Sequence, residues 1–325
     1  MDQLSGGASE SAHVSEKNVQ NVCPICGPES TAPVGISNGL PIVRCTGCSL
    51  MYVAECPPPE KTEEFLQEEY CRNDPSFVKK LFVDYRKKSL ARGAERIRSL
   101  MPKGGRLLDV GTASGCFLNE FRNDSNWRVE GVEPSRFSTE FARREFGLTV
   151  HQGFLADQKF PDSTFDVLCS LDAFVVHRQP REDMMEFFRV LSPGGLLAIE
   201  IPGHRFRMLT GSGLIYRLFR GPSLRLAAGN NFYYYTRETL TRLASIAGFE
   251  FVASHPEGLT ARGNRISKAA RETFNIASGA LYRMTGGKLN FCAKELCIFR
   301  KPAERAGHSR PTLKSETPSS TRRAA

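Results

Sequence analysis

The chain predicts an α/β protein: a mainly parallel sheet covered by helices on both faces, with a small cysteine-rich module ahead of it. Three observations carry that expectation. Between residues 106 and 202, the short apolar runs RLLDVG, WRVEGVE, LTVHQG, FDVLCSL and LLAIEIP alternate with amphipathic stretches joined by short turns. Strands spaced by helices of that length return to one end of a sheet through crossovers and so lie parallel. Two C-x2-C pairs precede this region, and the run Pro57–Pro59 divides the two parts, since three prolines in succession continue neither a helix nor a central strand.

Composition sets the outer bounds. With 325 residues, 40% hydrophobic and 24% charged, the chain exceeds one average domain and can bury a sizeable core, which excludes a fibrous or wholly disordered protein. No uncharged apolar stretch reaches the roughly 18 residues of a membrane span, and the first twenty residues lack the apolar core of a signal peptide. The expectation is a cytoplasmic protein whose ten cysteines are thiols or metal ligands. Residues 1–20 and 303–325 are small, polar and without periodicity, and are expected to be disordered.

Taken in order, residues 21–56 form the cysteine module. Residues 57–101 read as a helical linker or cap: KTEEFLQEEYC, then a longer helix from about Ser76 to Leu100 striped by Phe77, Leu81, Val83, Tyr85, Leu90, Ala94 and Ile97 and stopped by Pro102, Gly104 and Gly105. The α/β domain is placed at 102–302, with helices over Cys116 to Arg122, Ser135 to Phe146 and Arg181 to Leu191. In the last, Met184, Phe187, Phe188 and Leu191 recur at helical spacing, a stripe for packing on a sheet. A helix after Thr236 shows Leu240, Leu243, Ala244 and Ala247 on one side and ends at Gly248, and EFVASH and NFCAKELCIFRK read as two more strands. Two basic cap segments, 203–230 and 257–288, interrupt the domain; the second holds the helical candidate ISKAARETFNIASGALYRM.

Cys23, Cys26, Cys45 and Cys48 read C-x2-C-x18-C-x2-C, the spacing of a closed four-thiolate zinc site. Each turn aims two thiolates at one ion, and Gly27 and Gly47 stand where tight knuckles need a permissive backbone. A module of about 35 residues cannot build its own core, so the ion would be structural and supply folding energy. The other reading, two redox dithiols, lacks a thioredoxin-like βαβ context. Cys56, Cys71, Cys116, Cys169, Cys292 and Cys297 have no ligand-like spacing and read as packing or surface thiols.

RLLDVGTASG is a strand running into a small-residue turn and then a helix, so a ligand can approach backbone N–H groups at the carboxyl edge of the sheet. No Gly-Lys-Ser/Thr follows and G-x-G-x-x-G is missing, which excludes a Walker loop and a nicotinamide fingerprint. Glu133 lies 24 residues after Asp109 at the end of the next strand, where a carboxylate can accept hydrogen bonds from both hydroxyls of a ribose; the alternative is a surface loop acid.

At these residues the chain resembles the class I S-adenosylmethionine-dependent methyltransferases, specifically bacterial members with an N-terminal four-cysteine zinc segment. The resemblance runs from about Asn21 to Lys301: LLDVGTASG is similar to the family's cofactor loop, GVEPS to its ribose-binding strand end, GFLAD and FPDSTFDVLCSLDAFVVHRQP to its adenine-side turn and fourth strand, RVLSPGGLLAIEIP to its fifth strand, and YYYTRETLTRLASIAGFE to the approach to the last two strands. It implies a Rossmann-like, mainly parallel seven-stranded sheet with a zinc-ribbon-like module. It further implies that Asp109 lies near the methionine amino group, that Gly111 and Gly115 clear space for methionine and ribose, that Glu133 holds the ribose hydroxyls, and that Asp157, with the backbone of Leu155 and Ala156, faces the adenine edge. Thr112, Pro134 and Asp172 complete the implied cofactor-binding set. Two departures stand out: Ala113 replaces the usual middle glycine, and Asn231 sits where many relatives have a histidine.

A sulfonium methyl is already electrophilic, so the protein's task is to hold a nucleophile in line in a dry pocket, with a base added for a hydroxyl or carbon acceptor. His177, after the fourth strand, is the candidate base; its other reading is a loop histidine that hydrogen-bonds a neighbouring turn. Tyr233, Tyr234 and Tyr235 read either as walls of an acceptor pocket or as a β-edge or core. Residues 1–200 hold 23 Lys and Arg against 28 Asp and Glu, whereas 201–290 hold 13 against 4. This basic stretch fits an anionic acceptor such as a sugar, nucleotide-sugar or related metabolite, or peripheral contact with a membrane through HRFRMLTGSGLIYRLFRGPSLRL, or a merely solvated face. RNA methylation is the second enzymatic reading, although SLDAF replaces the Asn/Asp-Pro-Pro-aromatic element suited to base amino groups. A cofactor-binding regulator or zinc-dependent interaction protein without turnover is the reading from another class.

Overall fold

A computed structural model of the chain describes residues 19–64, 66–67, 74–78, 86–211, 231–259 and 265–303. The terminal tails as far as residue 18 and from residue 304, the stripe positions Leu81, Val83 and Tyr85, and most of the first basic cap, 212–230, lie outside the described residues.

Five short strands open the chain: β1 (Val19–Gln20), β2 (Thr31–Ser37), β3 (Leu40–Cys45), β4 (Met51–Val53) and β5 (Glu55–Cys56). Asn38 and Gly39, both at positive φ (51° and 76°), close the β2–β3 hairpin as a two-residue primed turn requires. β4 extends this sheet. Then come α1 (Pro59–Glu64), α2 (Pro75–Val78) and α3 (Lys87–Leu100). The long helix expected from Ser76 is thus two described pieces, and α3 starts after Arg86, burying Leu90, Gly93, Ala94 and Ile97.

The apolar runs then form strands in turn, interleaved with helices: β6 (Gly105–Val110), α4 (Cys116–Asn119), β7 (Trp127–Glu133), α5 (Arg136–Phe146), β8 (Thr149–Gln152), β9 (Phe165–Leu171), α6 (Pro180–Val190), β10 (Leu191–Pro202) and α7 (His204–Gly211). β11 (Tyr233–Tyr234), α8 (Arg237–Ile246), β12 (Glu250–Glu257), α9 (Arg265–Met284) and β13 (Lys294–Arg300) complete the order. Local chemistry sets several boundaries. Ser135 Oγ accepts from the Ser138 N–H to cap α5, Gly147 ends it at φ 64°, and Thr236 caps α8. The helix expected as far as Arg122 stops at Asn119, because the N–H groups of Glu120 and Phe121 bond three residues back rather than four and tighten the last turn.

Seven strands form one sheet in the order β12-β13-β10-β9-β6-β7-β8. β6 to β10 are parallel, and β13 runs antiparallel to both neighbours. This is a Rossmann-like α/β fold with a mostly parallel seven-stranded sheet. Alternation along the strands divides the core. Leu108, Val110, Leu168, Leu197 and Ile199 face the cysteine module, α6 and α8; Leu107, Val167, Cys169, Leu196 and Ala198 pack with α3, α4 and α5. β11 does not join this sheet. It pairs with β4, Tyr233 opposite Tyr52 and Tyr234 opposite Met51, so the module's sheet takes its fourth strand from the larger domain, and one buried cluster runs from Cys23 and Tyr52 to Phe174 and Leu240. Tyr233, Tyr234 and Tyr235 are all buried, in β-edge and core positions. Among the described residues no helix is long and apolar enough to cross a membrane.

Candidate functional site

Because β6, β7, β9 and β10 run parallel, their carboxyl ends share one rim. Asp109, next to last in β6, is only 2% exposed. Burial pushes its carboxyl up to about 7, against the opposing pull of Thr112 and Arg86. Its Oδ1 and the Thr112 hydroxyl are buried without a hydrogen-bond partner among the described residues. Glu133, 3% exposed at the end of β7, holds two backbone turns together: Oε2 accepts from the Ala113 N–H at 2.7 Å and Oε1 from the Ser135 N–H at 2.9 Å. Burial raises it to about 7 as well, while those two bonds lower it.

The turn between β6 and α4 is built from left-handed residues: Gly111 (φ 75°), Ala113 (51°) and Gly115 (74°). A Cβ at Gly111 would lie 2.4 Å from the Ala173 Cβ, and one at Gly115 would lie 2.6 Å from Leu148 Cδ1. The space in those directions is filled by the protein, so the glycines are required by packing and by φ together. Ala113 takes its positive φ with a Cβ in place. On the neighbouring turn, the Gln67 amide donates to the Pro134 carbonyl at 2.7 Å and its Oε1 accepts from the Arg136 N–H at 3.0 Å, bringing the segment before α3 over the end of β7. Leu155 is buried, whereas Ala156 and Asp157 are exposed; the Asp157 carboxylate accepts from the Phe154 N–H at 3.2 Å.

Asp172, just past β9, stands at φ 65° and belongs to an ion network that sequence reading missed. Lys294 binds Asp172 and, at 3.0 Å, Glu200. Arg86 binds Glu200 and lies 3.6 Å from Asp172, and Asp172 Oδ1 is buried without a partner among the described residues. Desolvation raises Glu200 and pulls Lys294 well down. Nearby, Glu257 binds Arg92 and Arg96 of α3. The available signal was the lone acid inside an apolar run, Glu200 in LLAIEIP, since charges are rarely buried unpaired. His177 Nδ1 lies 2.8 Å from Asp183 in the first turn of α6, with Phe174 and Phe187 packed on its ring; the sequence reading did not name Asp183.

The four module cysteines converge, their sulfurs all within 4.8 Å of one another, and Cys23 Sγ to Cys48 Sγ is 3.5 Å. A tetrahedron with metal–sulfur bonds of about 2.3 Å has edges of about 3.8 Å, so the set can hold one such ion. The first knuckle closes with the Gly27 N–H on the Cys23 carbonyl and the second with the Ser49 N–H on the Cys45 carbonyl. Ser49, not Gly47, takes the left-handed position of the second knuckle (φ 66°). Gly47 is needed for another reason: a Cβ there would lie 3.1 Å from Cys26 Sγ. Cys56, Cys116, Cys169, Cys292 and Cys297 are free and buried. Cys292 precedes β13 rather than lying on it.

The chain matches the family described as Methyltransferase domain over residues 82–254, more than half of its length, and belongs to that family. It is similar to the erythromycin 3''-O-methyltransferase of Saccharopolyspora erythraea, 38% identical over 108 residues that cover 30% of this chain and 34% of that protein. It is also similar to the sterol 24-C-methyltransferase erg6 of Aspergillus fumigatus, 31% identical over 105 residues, 30% of this chain and 28% of that one. The chain spans about a third of the length of these curated relatives. Among solved structures, a chain of the complex between the Haloferax volcanii Trm112 methyltransferase activator and a methyltransferase superposes with a TM-score of 0.49 at 16% identity, covering 74% of this chain and 98% of that chain.

Proposed function

We propose that the protein is an S-adenosylmethionine-dependent methyltransferase acting on a small, anionic acceptor, of the sugar, nucleotide-sugar or related metabolite class, at oxygen or carbon. The observation that carries this reading is the buried rim itself. Among the described residues, Asp109 Oδ1, Thr112 Oγ1 and Asp172 Oδ1 are buried polar atoms without a hydrogen-bond partner beside a turn that Glu133 clamps, and buried polar atoms are expected to find partners. A ligand with an ammonium and a ribose diol supplies the donors those acceptors lack. Asp109, Gly111, Thr112, Gly115 and Asp172 would hold the methionine part; Glu133 and Pro134 would hold the ribose, each Glu133 oxygen keeping a lone pair beyond its backbone bond; Ala156 and Asp157 would meet the adenine edge. When bound, the cofactor supplies an electrophilic methyl group. The chain's own residues fix its orientation, exclude water from the rim and manage the acceptor's proton. With Nδ1–H donated to Asp183, the His177 lone pair stands on Nε2, the atom that would take that proton.

Cys23, Cys26, Cys45 and Cys48 are proposed to bind a structural Zn2+, because four thiolates leave no open coordination position. A cytoplasmic location belongs to the same proposal, supported by the nine free cysteines of the described residues. The small acceptor is supported by the names of the two curated relatives, which place methylation on a macrolide and on a sterol, and its anionic character by the excess of 13 basic over 4 acidic residues in 201–290. The test is calorimetry with S-adenosylmethionine, followed by cofactor-consumption assays on metabolite pools and on RNA. Consumption with acidic metabolites is the expected result. Consumption with RNA alone replaces the acceptor class, and binding with no turnover in any pool replaces the enzyme with a regulator.

A further inference from the structure

β10 and β13 pass from the ion network to a second feature within one residue. Glu200 and Lys294 belong to the network; their neighbours Ile201 and Glu295, paired across the two strands, point to the opposite face of the sheet. There they line a cleft of about 610 Å³ between the cysteine module and the sheet domain, with Arg44 of the module, Arg205 of α7, Arg237 and Glu238 of α8 and Lys288 on its walls. The two carboxylates are both committed to one cation: Arg237 lies 3.5 Å from Glu238 and 3.9 Å from Glu295. Arg44, Arg205 and Lys288 have no carboxylate within ion-pair distance among the described residues. Arg205 stands over the Phe291 ring, 6.0 Å away. Burial holds His204 below its ordinary value against the opposing hydrogen bond to Tyr234, and the positive fields of Arg44 and Arg205 add to the lowering, so these two cations act on one point.

Three cations from separate segments, none with a carboxylate partner among the described residues, repel one another, and a concave wall concentrates their field; an anion relieves both. We infer that this cleft is an anion subsite for a phosphate- or diphosphate-bearing ligand, anchored by Arg44, Arg205 and Lys288, with the cysteine module as one wall. That the ligand is the methyl acceptor rests on the proposed function. The probe is inorganic pyrophosphate, titrated calorimetrically into the full chain at low ionic strength. Wild type binds it. Arg44→Ala, Arg205→Ala and Lys288→Ala each weaken binding by about tenfold or somewhat less, and the triple variant loses it. Arg283→Ala, an exposed cation of α9 outside the cleft, changes nothing, and cofactor affinity stays constant throughout as a check on folding. No binding by wild type, an unaffected triple variant, or an equal loss in Arg283→Ala overturns the subsite. Failure of the wild type itself to bind cofactor overturns the methyltransferase reading, while the pyrophosphate series, with the folding of each variant checked by circular dichroism, still decides the subsite.

Discussion

Asp109 and Glu133 are the residues whose environment departs furthest from that of a carboxylate in water, and each departure can be measured. Asp109 moves from 3.8 to about 7 and Glu133 from 4.5 to about 7, mainly through burial. Between about pH 4 and 7 the folded chain therefore holds more protons than the unfolded chain. The stability tied to these groups is complete below their unfolded values and is lost as pH rises through about 7. Asp109→Asn removes one of them, so wild type should lose roughly 2 to 4 kcal/mol relative to this variant between pH 4 and 8. Urea denaturation of both proteins across that range is the check, and identical pH slopes would refute the assignment. On the proposed reading an ammonium facing Asp109 favours its charged form, so cofactor affinity rises with pH up to about 7 and binding releases protons, visible as a buffer-dependent enthalpy. Glu133→Ala should weaken cofactor binding by about 1 to 3 kcal/mol. Glu133→Gln should lose less, because one acceptor oxygen stays to hold the turn; unchanged affinity in Glu133→Ala would remove this residue from the site.

At the scale of the element, the β6–α4 turn separates two demands that glycine meets. Gly111 combines φ 75° with a Cβ position 2.4 Å from Ala173, so Gly111→Ala should cost about 1 to 3 kcal/mol. Ala113, at φ 51°, already carries its methyl, and Ala113→Gly should change stability by less than about 1 kcal/mol; chemical denaturation of both variants tests the contrast, and equal effects would show that φ alone decides. What the sequence could reveal follows the same distinction between local and distant causes. Strands β6 to β10 were legible because each apolar run is bounded by its own turn, and the placing of Asp109 and Glu133 on one rim follows from two successive parallel strands. β11 was not legible: YYY is a good strand in any setting, and only its partner β4, some 180 residues earlier, makes it part of the module's sheet. The ion network was illegible for the same reason. Glu200 announced a partner, but Arg86 lies 114 positions away and nothing local selects it. The knuckles show the limit on a finer scale, since the glycine expected for its backbone freedom is held by a sulfur, and a serine takes the left-handed turn.

For the whole molecule, the consequence lies in how the two buried clusters divide the structure. The module's Ile42, Leu50, Tyr52 and Val53 share one cluster with Phe174, Phe187, Leu240 and Leu243, and the Tyr233 hydroxyl donates to Asn21 at 2.7 Å. The opposite face, with Leu107, Phe117, Phe141, Ala198 and Ile298, contains no module residue. Loss of the metal should therefore travel a defined distance. On the proposed zinc reading, Cys45→Ser removes one of four ligands and the folding energy that metal binding contributes to the module; the protein should lose its zinc, amide protection should fall across β2 to β4, and through the β4–β11 pairing the fall should reach Tyr233 and Tyr234. Protection in β6, β7 and β9 should persist, because these strands stay hydrogen-bonded to one another and covered on the α3 and α5 side. Hydrogen exchange with metal analysis on the same sample distinguishes the outcomes. Zinc kept at full stoichiometry refutes the four-thiolate site. An exchange change that stops before Tyr233 means that β11 holds its place without the module, and one that spreads evenly into β6 means that the two faces of the sheet unfold as a single unit.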